Sequence, residues 1–167
     1  MTILVPNPLR LRQMPQTSNT RDDMRVLDEF KRGLDGWRQA LEAHRLAPPD
    51  SGFSARLAGL ATAASQQAKT CRKADKAGYD WTPTRAAESK PPFELQPGSG
   101  RRGPQELWLR FDAAVADLSR IATGRDMPAV ADAYDELSHA ASELAQAVER
   151  EDRANGLLAR ARARRSA

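Results

Sequence analysis

The sequence predicts an all-α fold: a four-helix bundle built from two antiparallel helical hairpins joined by a long crossover rich in proline, glycine and aromatic residues. Met127, Val130, Tyr134, Leu137, Ala141, Leu144 and Val148 recur at alternating spacings of three and four, the seam of a helix packed lengthwise on others. Three further segments show the same rhythm less strictly. Between the second and the third of the four, Pro83, Pro91, Pro92, Pro97, Gly98, Gly100 and Gly103 interrupt it over residues 79–103, which marks a connection. A chain of 167 residues has room for one domain with a sizeable core.

Residues 1–17 hold three prolines and no helical period, so a flexible or loosely docked arm is expected there. The bundle domain is expected over 18–153, with helices at about 20–45, 53–77, 104–122 and 127–153. Ser18, Asn19 and Thr20 can cap the first helix, Asp22 and Asp23 suit its first turn, and its seam runs Leu27, Phe30, Leu34, Trp37, Leu41 and His44. Pro48, Pro49 and Gly52 stop it. The second seam reads Phe53, Leu57, Leu60, Ala64, Gln67, Cys71 and Ala74, with Gly78 as the terminating residue. Alanine buries little area per residue, so this helix is expected to be the least stable of the four.

Tyr79, Trp81 and Phe93 are bulky for a linker, and the expectation is that they dock on the bundle. Thr82 and Pro83 could also open a short helix over 83–89. Pro104 suits the first turn of the third helix, whose apolar face is Leu107, Trp108, Phe111, Val115, Leu118, Ile121 and Ala122, ended by Gly124. A short connection then forces a hairpin, with Asp126 capping and Pro128 in the first turn of the fourth helix. Beyond Val148 the rhythm decays, because Glu151 and Asn155 fall where apolar residues should be and Gly156 weakens the helix. Residues 154–167 are read as a basic tail, helical but projecting. An over-long fourth helix of this kind could equally pair with another copy of the chain.

Arginine outnumbers lysine 21 to 5, a bias that fits a GC-rich, bacterial genome and carries no function by number. The distribution is uneven. Residues 54–78 carry Arg56, Lys69, Arg72, Lys73 and Lys76 against Asp75, while residues 126–152 carry eight carboxylates against Arg150. Arg153, Arg160, Arg162, Arg164 and Arg165 make the tail strongly basic. Cys71 is the one cysteine, which excludes an intramolecular disulfide and a multi-cysteine zinc site and points to a reducing, cytoplasmic setting. No apolar run is long enough to span a membrane, and Ile3 to Val5 is too short a core for a secretory signal.

Candidate chemistry is sparse. Glu136 and His139 have the Glu-x-x-His spacing of di-iron bundles, but the seam through Tyr134, Leu137 and Ala141 turns them outward. His44 on a seam reads as a structural histidine, able to bond free carbonyls and favour the helix dipole. Cys71 on a seam reads as a buried, inert thiol. No phosphate loop, nucleophile elbow or zinc-protease motif is present, and no pattern asks for a cofactor or metal. The expected function is therefore a non-enzymatic interaction or adaptor protein that contacts a protein partner. Its expected surfaces are Tyr79, Trp81 and Phe93 of the crossover and Asp132, Asp135 and Glu136 of the acidic fourth helix. The alternative is a nucleic-acid accessory role for Lys69, Arg72, Lys73 and Lys76 with the tail arginines Arg160, Arg162, Arg164 and Arg165. A small apolar ligand held between the hairpins is the third reading.

Overall fold

A computed structural model describes residues 9–11, 20–46, 52–83 and 103–166. Among them the chain is a four-helix bundle, α1 (Thr20–Leu46), α2 (Phe53–Lys76), α3 (Gln105–Ile121) and α4 (Met127–Arg165), with two short strands, β1 (Leu9–Leu11) and β2 (Tyr79–Trp81). Ser18, Asn19, Phe93 and residues 84–89 of the short helix suggested over 83–89 lie outside the described residues.

Each helix begins and ends where backbone chemistry allows. Gly78 takes φ of +89° and closes α2, its N–H donating to the Asp75 carbonyl. Pro104 is extended (φ −63°, ψ 135°) and precedes α3 as its N-cap instead of lying in the first turn. Asp126 caps α4 by accepting from the Ala129 N–H at 3.2 Å, one of the donors a helix start leaves unpaired.

The two hairpins pack in the order α1, α2, α4, α3. The α2–α4 contact is the most extensive in the molecule, followed by α1–α2 and α3–α4, and His44 against Phe111 joins α1 to α3. Arg72 meets Asp132 and Ala61 meets Ser138, so α2 and α4 run antiparallel. Phe53 stacks on Trp108 near the starts of α2 and α3, and Trp81 reaches Ala122 near their ends, so α2 and α3 run parallel. The chain between β2 and α3 therefore leaves one end of the bundle and arrives at the other.

The core is aromatic at its ends and alanine-rich between α2 and α4. His44, Phe53, Trp108 and Phe111 form a ring cluster at one end. Trp37 meets Tyr134 edge-on at 5.3 Å, and Phe30 meets Trp81 edge-on at 6.2 Å towards the other end. Every residue of the α4 seam from Met127 to Val148 is buried. Helix α2, expected to be the weak element because its apolar residues are small, packs against both α1 and α4. Ala61, Ala64, Ala68 and Ala74 on α2 and Ala131, Ala140, Ala141 and Ala145 on α4 are all buried, which lets the backbones approach until the Ser138 hydroxyl donates to the Ala61 carbonyl at 2.7 Å. What alanine loses in area per residue is offset by burial on two sides, against α1 and α4.

A similar close approach joins α1 to α2. A Cβ placed on Gly33 would lie 2.6 Å from the Gln67 Oε1 and 3.0 Å from the Thr70 Oγ1. Those two groups are already committed to each other, since the Thr70 hydroxyl donates to Gln67 in a fully buried site. Gly36, one turn on, has nothing within 4 Å. Gly33→Val is therefore expected to destabilise the fold by about 2–3 kcal/mol through overpacking. Gly36→Ala is expected to stabilise it by about 0.5–1 kcal/mol through helix propensity, both read from urea denaturation midpoints.

Part of the N-terminal arm is an ordered strand. Leu9, Arg10 and Leu11 pair antiparallel with Trp81, Asp80 and Tyr79, and Leu9 packs on the core. Gly103 explains another departure from the apolar rhythm. Its φ is +92° and a Cβ there would sit 3.2 Å from Val148, while its N–H donates to the Glu151 carboxylate at 2.8 Å. Glu151 occupies a seam position because a backbone donor needs it.

Candidate functional site

The acidic and basic faces singled out from the sequence largely neutralise each other. Arg72 of α2 bridges Asp132 and Asp135 of α4, and its guanidinium is held further into the charged state chiefly by the hydrogen bond to Asp135. Arg110 of α3 does the same for Glu136 and Glu143, with Glu136 the main cause of its raised pKa. Lys73 pairs with Glu29 of α1 at 2.7 Å, and this contact keeps the Glu29 carboxyl below its usual range. All lie at the water boundary, where screening leaves each pair little weight in stability. They matter here because they occupy Asp132, Asp135, Glu136, Arg72 and Lys73. Of the basic second-helix set, Lys69 and Lys76 have no ion-pair partner among the described residues.

Tyr79 and Trp81 are in the core. Trp81 is 3 % exposed, Tyr79 8 %, and the Trp81 indole donates to the Ala122 carbonyl at 2.8 Å. Pairing with β1 holds them there, so the docking expected of these aromatics is found and the partner surface assigned to them is not. Burial raises the Tyr79 phenol, with Asp23 adding to the effect. Phe93 lies outside the described residues.

Three buried titratable side chains, Cys71, His44 and Tyr134, are held in their neutral forms. Burial pushes the Cys71 thiol up to about 12 against a small opposing pull from Arg72, so the nucleophilic thiolate is suppressed. His44 is pushed down to about 4, by burial first and Arg56 second. The helix dipole invoked from the sequence would favour the cation, but desolvation among Phe53 and Phe111 outweighs it. Tyr134 is fully enclosed and its pKa strongly raised by burial. Glu136 and His139 are exposed on the outer face. Among the described residues no group of three or more His, Cys, Asp or Glu side chains converges as a metal site.

Between α2 and α4 lies an open groove of about 350 Å³, lined by Ala58, Ala61, Thr62, Ser65, Gln66, Lys69, Ser138 and Ser142. Its hydroxyls are partly turned back into the helices, Thr62 to Ala58 and Ser138 to Ala61. Its lining is mixed, two alanines among hydroxyl, amide and ammonium groups.

The feature that the seam analysis underrated is the end of α4. This helix is one continuous element of 39 residues, about 58 Å long, against about 26 Å for α3. Val148 is its last buried residue and every residue from Arg153 to Ser166 is exposed. Leu157 and Leu158 are 66 % and 56 % exposed. With Ala154 and Ala161 they fall at i, i+3, i+4 and i+7, one side of a helix, and that spacing was the signal available in the sequence. Arg153 pairs with Glu149 at 2.6 Å, while Arg160, Arg162, Arg164 and Arg165 have no ion-pair partner among the described residues. No described helix is long and apolar enough to cross a membrane. No family model, curated protein or solved structure matches this chain.

Proposed function

We propose that this protein is a non-enzymatic interaction module, a rigid bundle that presents one helix to a protein partner. The observation that carries the reading is the projecting end of α4, with two leucines exposed side by side on a helix that the bundle does not cover. Exposed apolar surface of this kind marks contact sites, and basic amphipathic helices bind by laying the apolar side against a partner. The quenched states of Cys71 and His44 favour a scaffold over catalysis, and a buried single thiol suits a reducing, cytoplasmic setting.

A photo-crosslinking residue at Leu157 tests this in host cells, with the equally exposed bundle residue Leu109 as control. Adducts specific to position 157 support the reading; the same adduct pattern at both positions overturns it. Removing residues 153–167 is expected to abolish the specific adducts and to leave the melting temperature within about 3 °C, because that segment buries nothing in the bundle. A second reading, a nucleic-acid accessory role, is favoured by the four exposed tail arginines. It requires retardation of labelled DNA by the full chain that fades steeply with salt and is lost on the same truncation.

A further inference from the structure

We propose that the projecting end of α4 pairs antiparallel with the same segment of a second copy of this chain, about a two-fold axis between Leu157 and Leu158. The proposal rests on the reading above that this segment is the contact element, and it names the occupant.

The apolar side is self-complementary. Ala154, Leu157, Leu158 and Ala161 read the same in both directions. When two copies run antiparallel with Leu157 opposite Leu158, Ala154 falls opposite Ala161 as well. That is the isologous contact a two-fold dimer requires, in which each copy offers one patch to the same patch of the other. Alanines outside and leucines at the centre let the helices approach closely over about two turns.

Charge selects the direction. Residues 149–157 carry Glu149, Glu151 and Asp152 against Arg150 and Arg153, whereas residues 158–166 carry Arg160, Arg162, Arg164 and Arg165 and no acid. A parallel pair would set four arginines against four. An antiparallel pair sets each strongly basic half against the slightly acidic half of its partner, three carboxylates against two arginines, and so avoids the arginine-on-arginine repulsion of the parallel pair. In this register Glu151 lies opposite Arg164, while Arg150 faces Arg165 and Arg153 faces Arg162, so the preference rests on the net charge of the two halves and on the Glu151 contact. The Gly103 N–H holds one oxygen of Glu151 and so fixes that carboxylate where the bundle ends, with the second oxygen left to accept from an arginine.

Pairing would also give the extension the packing it lacks on the bundle, where no residue from Arg153 to Ser166 is buried and Gly156 lowers helix propensity. The contact is smaller than a standard stable interface, so the dimer is expected to be concentration-dependent.

Sedimentation equilibrium of the full chain from about 1 to about 200 μM is expected to show the mass rising from 18.4 kDa towards twice that value. Leu157→Glu with Leu158→Glu is expected to keep the chain monomeric over the same range without moving the melting temperature. Direction is read by oxidation of single-cysteine variants, Cys71 being buried and silent. A mixture of Ala154→Cys and Ala161→Cys chains is expected to give a disulfide-linked heterodimer, and neither variant alone a comparable product. A monomer at every concentration, a dimer that survives the double glutamate change, or Ala154→Cys linking to itself would each overturn the proposal. In those cases adducts at Leu157 to a different protein would still uphold the interaction module, so the two ideas fail separately.

Discussion

Trp81→Ala is expected to destabilise the fold by about 3–5 kcal/mol, a large share of the about 5–15 kcal/mol that holds a domain together. The indole is almost fully enclosed, sits edge-on to Phe30 and donates to the Ala122 carbonyl. Truncation removes its area, leaves a cavity where β2, α1 and the end of α3 meet, and strips that carbonyl of a donor. Trp81→Phe separates these contributions, because it keeps most of the ring and loses only the N–H. A loss of about 1–2 kcal/mol is expected for it. Chemical denaturation of both variants checks the ranking; a Trp81→Ala chain as stable as the parent would return this side chain to the surface.

His44 is expected to make the fold acid-sensitive in a window that one substitution removes. The folded chain holds the imidazole neutral until about pH 4, while an unfolded chain takes up the proton near the ordinary 6.5. Between those values the unfolded state binds more protons, so stability rises with pH there. The full stability is present above pH 6.5 and drains away as pH falls towards 4, by about 2 kcal/mol for a group with some residual solvent contact. His44→Phe, placed among Phe53, Phe111 and Trp108, removes the ionisable group while preserving ring packing. Carboxylates also titrate in acid, Glu29 among them, so the informative quantity is the difference between parent and variant in unfolding free energy at about pH 7 and about pH 4.5. A difference that does not change with pH would show that His44 takes up its proton as readily in the fold as in the unfolded chain.

The helices were legible because their apolar period is long and repeated: the α4 seam from Met127 to Val148 is buried without exception. The β1–β2 ribbon was not legible, since strands of three residues carry no usable alternation and the partners lie about 70 positions apart in sequence. That missing ribbon is also why Tyr79 and Trp81 could be read as a partner surface, for nothing local shows what closes over them. Charge was legible as composition but not as pairing. The acidic stretch of α4 and the cations of α2 and α3 cancel across helix boundaries that no spacing rule reveals. At the end of α4, Glu151 broke the apolar rhythm and marked where the bundle stops, with a helical tail projecting beyond, as observed; what the spacing did not reveal is that this carboxylate accepts from the Gly103 N–H. The apolar side of the extension was present in the spacing of Ala154, Leu157, Leu158 and Ala161, turned away from the core seam and therefore missed by following the seam alone.

The alanine contact between α2 and α4 sets the mutational latitude of the whole protein. Where two backbones meet over methyl groups, as at Ala61, Ala64, Ala140 and Ala141, almost any replacement is larger than the space available, and enlargement forces the helices apart. Selection can therefore reshape little along the midline of this bundle. Novelty has room at its extremities, above all on the far turns of α4, where change disturbs no packing within the bundle and a new binding specificity could arise while the scaffold stays as it is.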